Sequence, residues 1–224
     1  MRRRRIMMAL AGAGVVAVAG TALFLSGEQA PQAARSAPSA PVPGDPLTGE
    51  EVTRATAIAS ATLRAHMTTG QVDLLYVERD DDKGAEDRRR ADAYLYDYAT
   101  DSLIVRTVDL GQGKVVKETA TRGVQPPPSK AEEVRAAELL LADPVYGGGV
   151  RESYAKALGG GLLRSAADLG LRGLIFTPGQ ERGGEPCKTH RCLRLFVRLP
   201  GNTWLDTSRI AVDLSAKKIY TLEW

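Results

Sequence analysis

Two short signatures, one in each half of the chain, constrain the fold most. Thr48 is followed three residues later by Glu51, and Ser129 three residues later by Glu132. Each is a capping box: the hydroxyl accepts from a free N–H of the first helical turn, and the carboxylate reaches back to the N–H of the cap residue. The spacing predicts helices over roughly 49–66 and 130–142, and apolar residues recur at helical intervals in both. They are Val52, Ala55, Ala59 and Leu63 in one, and Val134, Ala137, Leu140 and Leu141 in the other. Asp143-Pro144 stops the second, because a residue before proline is steered out of the helical region. A further short helix is expected near 150–158, before Gly159-Gly160-Gly161.

Strand-like segments follow each helical start. In the first half they are 72–77, 91–98, 102–109 and 114–119; in the second, 174–176, 193–199, 210–214 and 219–222. The stretches 79–90 and 178–185 between them are polar and turn-rich. A small repeat runs through the set. Tyr96-Asp97-Tyr98 with Leu103, Val108-Asp109-Leu110 with Val115, and Val212-Asp213-Leu214 with Ile219 share one pattern. Each is apolar-Asp-apolar, a turn, then an apolar strand start, and the aspartate can accept N–H bonds from the turn. Any antiparallel sheet can reuse such turns. Together with the duplicated capping boxes, they predict an α+β chain of two helix-then-sheet units, 45–123 and 124–224.

Ahead of these units lies a targeting segment, 1–27. Arg2 to Arg5 precede an uncharged apolar run from Ile6 to Ser26, the order of a signal peptide. Arginines followed by Ile6 and Met7 loosely match a twin-arginine export signal. The run reaches roughly 30 Å as a helix, one hydrocarbon core. No A-x-A site follows it; Ala17-Val18-Ala19 lies inside. An uncleaved anchor with the C-terminus outside the cytoplasm is therefore preferred to cleavage and secretion. Residues 28–44, rich in Ala, Pro and Ser, read as an extended spacer.

The charge balance fits this division. The chain has 30 Lys+Arg and 27 Asp+Glu; without the four arginines of the targeting segment the basic count is 26, one fewer than the acids. No polybasic nucleic-acid face is implied for the folded part.

Three stretches resemble the small N-terminal domains of copper amine oxidases: DPLTGEEV at 45–52, LYDYATDSLIVRTVDLGQGKVV at 95–116 and GVQPPPSKAEEVRAAELLLADP at 123–144. The resemblance covers roughly 45–150 and implies two cystatin-like units, each a helix on a curved antiparallel sheet. That family works through a quinone-forming tyrosine, three copper-ligating histidines and a catalytic aspartate in a large further domain. Only His66 and His190 occur here, so one chain cannot assemble a three-histidine copper site. No catalytic residue of the family is carried over.

Cys187-Lys188-Thr189-His190-Arg191-Cys192 is the one compact chemical cluster. In an exported chain the two cysteines are expected to bridge. The alternative is a copper or zinc site of Cys187, His190 and Cys192. His66 is expected to satisfy carbonyls at the end of the first helix. Arg88-Arg89-Arg90 follow Asp80-Asp81-Asp82 and read as a solvated loop of compensating charges, with a phosphate contact as the rival reading. Tyr94, Tyr96 and Tyr98 share one strand face, either as an exposed stacking patch or as the face a helix covers. No G-x-S-x-G is present, and the triplets Gly147–Gly149 and Gly159–Gly161 lack the lysine of a phosphate loop; they read as helix ends and joints.

The resulting expectation is a non-enzymatic extracytoplasmic module that binds a protein partner of the cell envelope through its sheets or the seam between its units. Copper or zinc handling, service as an accessory subunit of an amine oxidase, and an enzyme using carboxylates or arginines in the seam are the alternatives.

Overall fold

The protein is described by a computed structural model covering residues 41–81 and 88–224. The targeting segment with its apolar run 6–26, most of the spacer, and Asp82 lie outside the described residues. Among the described residues, no helix is long and apolar enough to cross a membrane.

Both capping boxes form. Glu51 N donates to Thr48 Oγ1 at 3.2 Å and Thr48 N to Glu51 Oε2 at 2.8 Å, opening α1 (Gly49–Ser60). The helix expected to run on to 66 instead breaks at 61–63, and a short α2 (Arg64–Thr68) follows. Glu132 N donates to Ser129 Oγ at 3.2 Å and Ser129 N to Glu132 Oε2 at 2.8 Å, opening α3 (Lys130–Ala142). That helix ends at extended Asp143, as the following proline requires.

The next helix, α4 (Gly147–Ala157), starts earlier than the sequence implied, so Gly147–Gly149 are a helix end, its first turn, and not a flexible joint. The reason is packing: a Cβ on Gly147 would lie 2.3 Å from the Leu141 carbonyl oxygen, so only glycine lets α4 begin there. At its other end, Gly159 and Gly160 have positive φ, and Gly160 N donates to Ala155 O at 2.8 Å, which satisfies a free carbonyl of the last turn.

Two four-stranded antiparallel sheets follow chain order. The first is β1 (Val72–Arg79), β2 (Arg90–Asp97), β3 (Ser102–Asp109) and β4 (Lys114–Arg122); the second is β5 (Gly170–Ile175), β6 (Cys192–Arg198), β7 (Ile210–Asp213) and β8 (Lys218–Thr221). The three hairpins of the sequence repeat close alike. Asp97, Asp109 and Asp213 each accept a turn N–H through Oδ1, from Ala99 at 2.9 Å, Gln112 at 2.8 Å and Ala216 at 2.8 Å. Each loop then passes through one residue of positive φ, Asp101, Gly113 or Lys217.

Strand alternation decides what each face meets. Ala91, Ala93, Leu95 and Val108 of the first sheet pack on Ala55 and Ala59 of α1. The opposite face, with Tyr96, Tyr98 and Leu103, shares a larger core with Ala136, Ala137 and Leu140 of α3 and with Leu193, Leu195, Val197 and Val212 of the second sheet. The outer face of the second sheet has its own small cluster of Phe176, Cys187, Cys192, Ala211 and Leu222.

Candidate functional site

The chemistry-bearing side chains gather around two arginines that occupy the same place in each unit. Arg89 immediately precedes β2 and Arg191 immediately precedes β6. Each grips the capping-box glutamate of its own unit with two parallel bonds. Arg89 Nε and Nη2 reach Glu51 Oε1 and Oε2, both at 2.7 Å, and Arg191 Nε and Nη2 reach Glu132 Oε1 and Oε2 at 2.5 and 2.9 Å. The paired geometry is the strong form of an arginine–carboxylate contact.

The remaining donors hold the segment leading into the helix. Arg89 Nη1 and Nη2 donate to the carbonyls of Asp45 at 2.5 Å and Pro46 at 2.8 Å. Arg191 Nη1 and Nη2 donate to those of Pro126 at 3.1 Å and Pro127 at 3.5 Å. Asp45 and Pro46 stand before Thr48 as Pro126 and Pro127 stand before Ser129. The arginine carbonyls also match: Leu110 N donates to Arg89 O and Leu214 N to Arg191 O, at 3.0 and 2.9 Å. This is one clasp built twice.

Surroundings separate the two copies. The Arg89–Glu51 side chains keep 13% and 17% of their surface exposed, whereas Arg191 and Glu132 keep none. The first unit supplies much of the cover. Tyr98 OH donates to Glu132 Oε1 at 2.8 Å, the Tyr96 ring lies under the Arg191 guanidinium at 4.7 Å, and Arg191 N donates to Asp101 Oδ1 at 3.1 Å. Arg135 of α3 bonds Asp73 and sits over Tyr98. Burial pushes Tyr96 up to about 12 and Tyr98 higher still, with Glu132 and Asp73 adding to the rise at Tyr98. Both phenols therefore stay protonated. The seam expected to bind a partner is filled by these contacts, and Gln125 completes it by accepting from Arg191 Nη1 at 3.1 Å.

Tyr96 and Tyr98 are thus buried and Tyr94 half-buried, stacked on Tyr76 with ring centroids 4.5 Å apart. A helix does meet this face, but it is α3 of the second unit and not α1. The basic run is also corrected. Arg89 is consumed in the first clasp and Arg90 lies in β2, 3.8 Å from Asp109; Arg88 is exposed. The clasp was missed because Arg89 hides among three arginines and Arg191 between two cysteines. Its signal is the arginine just before a strand that follows each capping box.

Cys187 and Cys192 form a disulfide with Cα atoms 5.5 Å apart. This corrects the copper or zinc reading of Cys187, His190 and Cys192, since joined sulfurs offer no thiolate, and His190 turns elsewhere. Native protein should show no free thiol before reduction and two after it. Reduction should cost about 2 kcal/mol by the chain-entropy relation for so short a loop, read as a shift in the denaturant midpoint.

His190 Nδ1 donates to Asp213 Oδ2 at 2.7 Å, and Tyr220 OH donates to the same oxygen at 3.1 Å. Asp213 is fully buried. Its bond to His190 raises the imidazole above its ordinary value, against partial desolvation, with Asp101 contributing. Stability from this contact is therefore present below the unfolded histidine pKa of about 6.5 and lost as pH rises through the higher folded value. Thermal melts from acid to mild alkali should show that loss, and His190→Gln should flatten it. His66 Nδ1 meets Gln71 Oε1 at 2.9 Å on α2, a local surface contact.

On the outer face of the second sheet, beyond the disulfide loop, three large apolar side chains stand free: Leu174, Phe196 and Trp204, at 58%, 38% and 55% exposure. Arg172 pairs across from Phe196, and Arg198 from Gly170 and Trp204. No described carboxylate forms an ion pair with either arginine. Among the described residues, no group of three or more His, Cys, Asp or Glu side chains is placed to hold a metal ion. No protein-family model matches the chain, and no curated protein matches it.

Proposed function

We propose that the chain is a non-catalytic extracytoplasmic interaction module, built like the N-terminal domains of copper amine oxidases, that binds a protein of the cell envelope. The observation carrying this reading is an asymmetry between equivalent sheet faces. In the first unit the face turned away from α1 is covered by the second unit. In the second unit the corresponding face leaves Leu174, Phe196 and Trp204 in solvent. Aromatic residues and arginines on a water-exposed face are the usual anchors of a protein interface.

Two further points support the reading. The polar groups of the seam are engaged with one another, which leaves the outer surfaces to do the binding. Part of the β5 edge is also occupied, because Lys130 Nζ donates to Leu171 O at 3.3 Å and Gly173 N to Glu133 Oε1 at 2.8 Å, which disfavours strand addition there. Export and anchoring through 6–26 would place the module outside the cytoplasm.

Gentle affinity capture with the full chain should recover a specific envelope protein. Phe196→Ala with Trp204→Ala should weaken that complex by about 30-fold or more, as expected for two central anchors. Recovery of no protein, or equal recovery by the double variant, would overturn the reading.

A further inference from the structure

The internal duplication also says what kind of element this open face should take. The two clasp arginines fix the correspondence between strands: counting from Arg89 and Arg191, Tyr94 matches Phe196 and Tyr96 matches Arg198. The cross-strand pairs agree, since Tyr76 opposite Tyr94 corresponds to Arg172 opposite Phe196. In the first unit this face receives the start of a helix. Glu132, in the first turn of α3, accepts from Tyr98 OH at 2.8 Å, and Ala136, Ala137 and Leu140 continue the same core.

In the second unit the ring that would meet such a helix is kept at Phe196, while two phenol positions have become guanidiniums. Arg198 runs across Gly170, whose missing Cβ would otherwise lie 3.0 Å from Arg198 Nε, and its guanidinium carbon sits 5.9 Å from the Trp204 ring. Arg194, the third arginine here, is already used: it lies 5.0 Å over the Phe176 ring and pairs with Glu181 at 3.3 Å. Asp206, the nearest carboxylate in sequence to Trp204, turns to Ser208 Oγ at 2.6 Å. Two cationic groups without a described carboxylate partner thus stand beside three exposed apolar side chains on a sheet surface.

Resting on the interaction-module reading, we propose that this face docks an amphipathic helix of a partner protein, with carboxylates on its first turns and apolar residues on the following ones. The carboxylates would pair with Arg172 and Arg198 in the bidentate manner arginine favours. The apolar residues would cover Leu174, Phe196 and Trp204. An acidic helix start is also the end at which carboxylates are most stable, being opposite the positive end of the helix dipole.

The test uses the full chain in its native envelope with a photoreactive phenylalanine analogue in place of Leu174 or Trp204. Irradiation should give one protein adduct, and mass spectrometry should place it on a helical peptide carrying at least two Asp or Glu residues. Arg172→Glu with Arg198→Glu should abolish the adduct while leaving the thermal midpoint unchanged, since both side chains are exposed. Lysine substitutions of the partner's carboxylates should restore it to that variant. Adducts to lipid alone, to a peptide without carboxylates, or undiminished by charge reversal would overturn the inference, as would no adduct. A partner captured by affinity yet crosslinked elsewhere would defeat this inference and leave the interaction-module reading standing; failure of capture would defeat that reading itself.

Discussion

Arg191→Ala should destabilise the protein by about 3–5 kcal/mol, read as a lower denaturant midpoint. Removing one partner of a buried ion pair leaves the other charged and uncompensated, which costs more than the pair itself contributes. Glu132 would keep Ser129 N and Tyr98 OH as donors, but both of its strong bonds to Arg191 would go. The carbonyls of Pro126 and Pro127 would lose their donor as well. Replacing both partners by apolar residues, as in Arg191→Met with Glu132→Leu, should cost much less than either single change. Arg89→Ala should also cost less, because its pair is reached by water and its carbonyl partners can turn to solvent.

The surface clasp is sensitive to acid. Arg89 holds Glu51 down to about 2 from the usual carboxylate range, its bond being the largest influence. Stability from that contact is present above the unfolded value of about 4.3 and lost as pH falls toward 2.

The second large effect is expected in the shared core. Leu140→Ala should cost about 2–5 kcal/mol, the range for a buried leucine whose site cannot collapse. Leu140 is 1% exposed and belongs to the cluster that holds Tyr96 and Leu103 of the first sheet and Leu193 and Leu195 of the second. Neither side can close over a cavity there without moving the other. Denaturant unfolding followed by tyrosine absorbance and by backbone dichroism should therefore shift together in this variant. A shift in only one probe would mean that the two sheets do not share that core.

Much of this architecture was legible from local chemistry. The capping boxes fixed where α1 and α3 begin, and the apolar-Asp-apolar repeat marked three hairpins, because both depend on contacts a few residues apart. The disulfide was legible from the cysteine spacing together with the expectation of export. What could not be read depends on distant partners. Arg89 in a run of charges looks solvated until Glu51 and the carbonyls of 45 and 46 are placed beside it. Tyr96 and Tyr98 show a shared face, but not that a helix from the other half would meet it. Gly147 could be read as a helix end or a joint, because the close approach of Leu141 is invisible in sequence. The open face was hidden for the same reason, since Leu174, Phe196 and Trp204 sit on three separate segments.

The asymmetry between the copies gives the functional reading its shape. One clasp stays at the surface and orders the entry to α1. The other is buried under the first sheet and joins the units, so the next face along is where binding would continue. Differential scanning calorimetry of the full chain tests that joining most directly. A single transition with equal calorimetric and van't Hoff enthalpies is expected, moved as a whole to lower temperature by Arg191→Ala. Two separate transitions, with only the second unit's displaced by the substitution, would contradict it.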